Sequence, residues 1–541
     1  MKPFDASGAF RPVADGGGDL RRLAVRGAGV TVLSGGLGVA IQIIATVVLA
    51  RLLTPADFGV VAMVTTFSLL LSNFGFNGFT EAVLQREEID HFLASNLFWI
   101  NLGAGFFLTA GFAAAGPLVA RFYSNPHVTP VAAGISLTMF IFSASVLHLA
   151  LLKRAMRFSV VSANDILGRA ISVVVSILLA WAGWGYWALV AGAVAQSLSA
   201  SLGAFILCRW VPSLPRRVAG TASMVKFAMH VYGRFSVNYG ARNTDNVLVG
   251  WRFNAQALGF YKKAYDLFAL SGGLLVSSLT TVAVSALSRL NRDPIQYKRR
   301  LLSALAVTAF VGMAVGADLT LAGKDVIRLL LGPRWEQSGR IFTFFGPGIG
   351  IMLLYGTHSW IHLSIGRPDR WFRWGIVEFA FTVLLFLVAL PWGPVGIAVA
   401  WTASFWILTI PALWYAGRPI HFGIRPVLAA VWKYIVASLL AGWACPAIFR
   451  LLPSFVGLPG AVGALARIVT ISLLFVVLYL VAVILLHQGC APLYQVARLL
   501  PDMVPWGRLP TPSPAFSTTA STRKSAALVP TAEETSASCR R

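Results

Sequence analysis

Fourteen apolar stretches, each about twenty residues long and separated by short polar connections, constrain this chain more than any other feature. A helix needs roughly 20 apolar residues to cross a bilayer core, and the stretches fall at 28–50, 59–80, 95–119, 130–151, 160–182, 186–208, 227–250, 257–284, 301–322, 341–364, 374–392, 395–416, 429–449 and 464–486. Composition agrees: 57% of the 541 residues are hydrophobic and 12% are charged, where a soluble domain carries about 25% charge. Fourteen spans leave short loops and two tails, with little room for a folded soluble domain. Two spans are polar for their class. Residues 227–250 carry Arg234, Arg242 and Asp245, and 257–284 open beside Lys262, Lys263 and Asp266. The first 26 residues are polar and glycine-rich, without an apolar run behind a basic start, so the first hydrophobic segment is expected to serve as its own insertion signal.

The formal charge is +24, from 44 Lys and Arg against 20 Asp and Glu. A nucleic-acid binder would gather such charge in a polar domain; here it lies between apolar segments, so no nucleic-acid partner is expected and the charge reads as topology. With the N-terminus in the cytoplasm, 30 of the 44 basic residues fall on the cytoplasmic side, 11 on the other, and Arg169, Arg234 and Arg242 lie within spans. That bias fits the positive-inside rule with both termini cytoplasmic. The loop at 86–91 resists, with Glu87, Glu88 and Asp90 beside Arg86, but acidic residues count little in that rule.

The chain repeats itself. LLTPADFGVVA after the first span resembles FNAQALGFYKK after the seventh, with Gly59 and Gly259 200 residues apart. GWGYWALVAG between spans five and six resembles PWGPVGIAVA between eleven and twelve, with Gly185 and Gly393 208 apart. The expected organisation is an all-α membrane protein: a cytoplasmic tail (1–27), a six-span lobe (28–208), a linker (209–226), a second six-span lobe (227–416), spans thirteen and fourteen (417–486) and a cytoplasmic tail (487–541). An even repeat sets the pseudo-axis along the membrane normal. Residues 492–506 could form an amphipathic surface helix, and the Ser-, Thr- and Pro-rich tail from 510 lacks the apolar content that ordering needs. Cys208, Cys445, Cys490 and Cys539 are too scattered for a disulfide framework or a zinc site.

Charge inside a span costs at least ~2.5–3.5 kcal/mol and calls for a reason. In the seventh span, Arg234, Asn238, Arg242 and Asp245 point to about 0°, 40°, 80° and 20° around the helix, one stripe that must face a hydrated cavity or a partner helix. Guanidinium groups hold phosphate bidentately, so a cavity lined by Arg234 and Arg242 suits an anionic headgroup; Arg242 and Asp245, three apart, are also spaced to neutralise each other. Asp165 and Arg169 are spaced to pair in the fifth span, as are Lys262 and Asp266 in the eighth. Asp165, Asp266, Asp318 and Glu378 are the acidic candidates for binding H⁺ or Na⁺ during transport, while Glu81 sits at an interface. His358 and His362 have a metal-ligand spacing but no third ligand, so packing or water contact is expected of them. GPGIG (346–350) should bend the tenth span as a hinge. Nothing matches a phosphate-binding loop, a nucleophile elbow or a nucleotide fingerprint, so ATP hydrolysis is not expected.

Several strings together resemble a known family: ARLLTPADFGVVAMV (50–64), LQREEI (84–89), GWGYWALVAG (183–192), YGARNTDNVLVG (239–250), LGFYKKAYDL (258–267), SALSRL (285–290) and LLLGPRW (329–335). They are similar to the polysaccharide-transporter family of the MOP exporter superfamily, the Wzx-type flippases, over roughly residues 20–420. The resemblance implies a two-lobed bundle of fourteen spans in a bacterial inner membrane. It implies a flippase of undecaprenyl-diphosphate-linked oligosaccharide for lipopolysaccharide or exopolysaccharide synthesis, working by ion-coupled alternating access with no other cofactor. Arg242, Asn243, Asp245 and Asn246, with Arg234 above them, match the family's cationic cavity. Partners would be the lipid-linked sugar, the bilayer, and the polymerase and export machinery. Two other readings remain at this point. A lipid II or multidrug exporter shares the architecture, but drug cations want an anionic cavity, and this stripe holds two Arg to one Asp. A glycan polymerase or ligase is an enzyme that usually needs a large outer loop, which this chain lacks.

Overall fold

The computed structural model describes residues 3–10, 17–86, 88–291, 293–451, 460–490 and 493–494. One compact unit runs from Met1 to Gln488; residues from Gly489 form a second, so the expected surface helix and tail lie almost wholly outside the described residues. The described part is nearly all helix. In chain order come α1 (Gly17–Leu52), α2 (Pro55–Gln85), α3 (His91–Phe122), α4 (Val128–Arg154), α5 (Phe158–Trp181), α6 (Tyr186–Cys208) and α7 (Thr221–Arg252). There follow α8 (Ala255–Arg289), α9 (Pro294–Leu331), α10 (Glu336–Ser364), α11 (Pro368–Ala389), α12 (Gly393–Gly417), α13 (Ile424–Phe449) and α14 (Gly460–His487). Among the described residues, eleven segments are long and apolar enough to cross a membrane, and one of them, Pro368–Ile420, holds both α11 and α12. The polar α7 and α8 are outside that set.

Short polar sequences start the helices. Thr54 and Asp57 form a capping box on α2: the Asp57 N–H donates to the Thr54 hydroxyl and the Thr54 N–H to the Asp57 carboxylate. Asn254 caps α8 by accepting the Ala257 N–H at 2.8 Å. These two starts, TPADFG and NAQALG, are the repeated strings, and they meet each other reciprocally. A Cβ on Gly59 would collide with the Ala255 carbonyl, and one on Gly259 with the Pro55 carbonyl. Adding 200 to Pro55 and Gly59 gives Ala255 and Gly259, so the contact is two-fold in sequence as well as in space. Its flanks are related in the same way. The Tyr123 ring at the end of α3 lies on Gly250 of α7, and Trp335 just after α9 donates its indole N–H to the Ala50 carbonyl of α1 at 2.8 Å. The second repeated pair has a backbone reason: Gly185 and Gly393 both adopt positive φ, 55° and 77°, where α6 and α12 begin.

The opposite end collects basic side chains. Arg154 donates to the carbonyls of Val83 and Arg86, Arg370 to that of Tyr415, and Lys298 to that of His421. Within the unit, α1 to α6 pack largely on one another and α8 to α14 largely on one another, while α2 bridges to α8 and α7 packs mainly on α2. Hydroxyls of Tyr232 and Tyr239 on α7 donate to carbonyls of Leu70 and Thr66 on α2.

GPGIG does not break α10: the helix runs from Glu336 to Ser364 with Pro347 inside it. Its glycines instead admit neighbouring backbones, Gly350 against Gly312 of α9 and Gly348 against Thr402 of α12. At the far edge, α13 and α14 pack on α9. There Arg467 makes two bonds to the Asp325 carboxylate, 3.0 and 2.6 Å, with both side chains less than a fifth exposed. Removing one partner of such a pair strands a charge. Arg467→Leu should therefore destabilise the protein by about 2–3 kcal/mol, with most of the loss recovered in the Asp325→Leu, Arg467→Leu double variant. Thermal unfolding in detergent reads both.

Candidate functional site

Helix α7 builds the site because its polar residues interrupt an otherwise apolar run and its neighbours must answer them. The side chains of Arg234 and Asn238 lie outside the described residues. Asp245 and Asn246 are fully buried. One Asp245 oxygen accepts the Tyr261 hydroxyl of α8 at 2.8 Å and the Trp401 indole N–H of α12 at 2.9 Å. The other Asp245 oxygen and the Asn246 side-chain oxygen have no partner among the described residues. The Asn246 amide reaches Asn243 at 3.5 Å, and the Asn243 amide donates to the Tyr239 carbonyl at 3.0 Å.

Arg242 is exposed and makes no ion pair with Asp245 within 4.0 Å. Asp245 turns into the packing of α7 on α8 and α12, while Arg242 acts electrostatically on Tyr355 and Glu378; Tyr265 of α8 lies within reach of both charges. The Tyr355 hydroxyl of α10 accepts the Trp374 indole N–H at 2.9 Å, and Glu378 of α11 acts electrostatically on Tyr355. The result is a polar layer in which one guanidinium, two carboxylates and three phenols sit among α7, α8, α10, α11 and α12. Aromatic partners such as Tyr355 and Trp401 carry no sequence signal apart from their abundance, and only packing brings them to the carboxylates.

The remaining candidates lie elsewhere. Asp165 and Arg169 pair at 2.9 Å on a face that leaves both about half exposed. Lys262 pairs with Asp266. Asp318 accepts from the Ser472 hydroxyl of α14 at 3.1 Å, away from the α7 layer. Glu81 is exposed near the end of α2. Among the described residues no cluster of three or more His, Cys, Asp or Glu could hold a metal. A cavity of about 290 Å³ opens between α1, α8 and the end of α9, with Ile43, Val47, Leu267, Leu270 and Leu330 in its wall and Lys263 and Asp266 at its polar side.

Comparison with known proteins agrees with this architecture. The chain is 20% identical to the succinoglycan biosynthesis transport protein ExoT of Rhizobium meliloti, over 77% of this chain and 87% of that one. It is 21% identical to the lipopolysaccharide biosynthesis protein WzxC of Escherichia coli, over 83% and 88%. Among solved structures, the lipid II flippase MurJ in an inward closed conformation superposes with a TM-score of 0.67 at 15% identity, covering 86% of this chain and 99% of that one, which speaks for the fold. The sequence model of the family described as polysaccharide biosynthesis protein matches residues 48–340, more than half of the chain, and this membrane protein belongs to that family.

Proposed function

We propose that the chain is a flippase that carries undecaprenyl-diphosphate-linked oligosaccharide from the cytoplasmic to the outer leaflet of a bacterial inner membrane. In this reading all fourteen helices cross the membrane with both termini cytoplasmic. Helices α1–α6 and α7–α12 form two lobes related by the Gly59–Gly259 contact, and α13 and α14 are an appendage on α9. The observation that carries the reading is Arg242, an exposed guanidinium in a membrane helix with no carboxylate in salt-bridge reach among the described residues. Such a charge is costly in lipid and useful beside a diphosphate, which it can grip bidentately. Arg234, Asn238, Asn243 and Asn246 would extend the path for the headgroup. The apolar cavity between α1 and α8 supplies a side opening for the prenyl chain, whose transfer into lipid needs no protein cover.

Rocking of the lobes about the α2–α8 contact would expose the path to one leaflet at a time. The carboxylates of Asp245 and Glu378 are the groups suited to bind the coupling ion, H⁺ or Na⁺, because each sits in the polar layer next to α7. The polymerase and export machinery would receive the product. Deleting the gene should leave the lipid-linked repeat unit intact in the cytoplasmic leaflet and stop polymer at the cell surface. Normal polymer without the accumulated intermediate sinks this reading, and accumulation of lipid II in its place favours the lipid II exporter reading.

A further inference from the structure

Helix α10 holds two buried imidazoles that nothing above uses. His358 is 3% exposed and His362 is 0% exposed. They lie three and seven residues after Tyr355, on the face that turns to α11 and α12. The His358 ring lies 4.6 Å from the Tyr355 ring and 6.0 Å from the His362 ring, which in turn lies 5.8 Å from the Tyr415 ring. From Tyr355 to His362 the helix climbs about 10 Å, ending at the basic loop with Arg367, where the Arg367 N–H donates to the His362 carbonyl at 2.8 Å.

The hydrogen bonding defines what each ring can do. His358 Nδ1 meets the Tyr355 carbonyl at 2.5 Å. A carbonyl only accepts, so Nδ1 carries the proton and Nε2 keeps a lone pair. That Nε2, and both nitrogens of His362, have no partner among the described residues although all three are buried. A buried polar atom left unpaired costs about 1–3 kcal/mol, so apolar side chains would pack this seam at lower cost. At the matching place in α4, His148 also lies among aromatic rings and its Nδ1 is likewise without a partner among the described residues, but its Nε2 meets the Trp210 carbonyl at 3.1 Å. The α10 pair differs in its neighbour: the Tyr355 ring lies 4.6 Å from that of His358, and a carboxylate, Glu378, acts on Tyr355.

We propose that Glu378, Tyr355, His358 and His362 form a proton relay from the polar layer at α7 to the basic end of α10, making H⁺ the coupling ion. The inference rests on the ion-coupled flippase reading and deepens it. Once Glu378 is protonated, its O–H faces the Tyr355 oxygen and the Tyr355 hydroxyl turns to His358; the carboxyl proton then passes to that oxygen as the phenol releases its own proton to His358 Nε2. His358 is then doubly protonated; Nε2 passes the same proton to a free nitrogen of His362, and Nδ1–H stays on the carbonyl. His362 releases it at the basic end. Bridging water suits the steps between rings too far apart for direct transfer. The titratable and charged groups facing the relay are Arg242 of α7, Tyr297 of α9, whose hydroxyl bonds Ser364, Asp369, Arg370 and Glu378 of α11, and Tyr415 of α12.

The test uses the full chain in vesicles made from the lipid extract of the deletion strain, which carries the lipid-linked sugar. External periodate reports sugars reaching the outer leaflet, and internal pyranine reports protons. The wild type should move both. His358→Gln and His362→Gln should lower proton movement at least tenfold while downhill sugar movement persists, a separation that a packing role would not produce; His148→Gln should leave proton movement at wild-type level. Proton movement retained in both α10 variants overturns the relay. So does a wild type that moves sugars without protons or only with Na⁺, which leaves the flippase reading standing. A wild type that moves no sugar overturns the flippase reading and the relay with it.

Discussion

Gly59→Ala and Gly259→Ala will each cut polymer export at least tenfold while the protein still inserts and folds. The contact they share is backbone on backbone: each added methyl would meet a carbonyl, Ala255 in one case and Pro55 in the other. No rotamer change relieves that clash, so α2 and α8 must separate or shear, at a cost of about 1–3 kcal/mol for one extra methyl in a packed seam. If the contact belongs to one of two states, that cost falls on that state alone and moves the population by about five- to 150-fold. Spin-label distances between the N-terminal ends of α2 and α8 measure the shift directly. Both variants should move the distribution toward separation, and the double variant by less than the sum, because one displacement relieves both clashes. Unchanged distances with unchanged export would refute a gate at this seam.

That seam was partly legible in the chain itself. The two glycines stand out because the strings around them repeat, and the repeat exists because both must pass a neighbouring backbone. The helices were legible for an equally simple reason, apolar stretches of bilayer length. The site was less so. Helical geometry puts Arg242 and Asp245 within about 60° of each other on α7, yet Asp245 is buried on Tyr261 and Trp401 while Arg242 stays open. Angle around one helix does not say which neighbours stand on either side, and here the boundary between them falls inside the stripe. The glycines of α10 have a packing role that the sequence alone did not show. GPGIG has the composition of a hinge, but with Gly312 and Gly316 facing it the same residues permit close packing of α9 on α10.

The second large effect concerns Arg242 itself. On the proposed flippase reading, Arg242→Ala should lower export by about ten- to 150-fold, the loss of one charge-assisted contact worth roughly 1.5–3 kcal/mol to a diphosphate headgroup. Removing a charge from a span favours insertion, so the variant should reach the membrane at wild-type abundance and the defect be one of transport. Arg242→Lys should recover part of the activity, because an ammonium keeps the charge and gives up the bidentate grip, and Arg242→Glu should be the most impaired. The rival role is local: Arg242 acts on Glu378, and its removal could harm the protein only by leaving that carboxylate without a counter-charge. The double variant Arg242→Ala, Glu378→Gln separates the two. If Arg242 serves only Glu378, neutralising both restores export toward the level of Glu378→Gln alone. If the guanidinium meets the headgroup, the double variant is at least as impaired as Arg242→Ala, since the neutral amide introduced on α11 gives the diphosphate nothing to replace the lost charge.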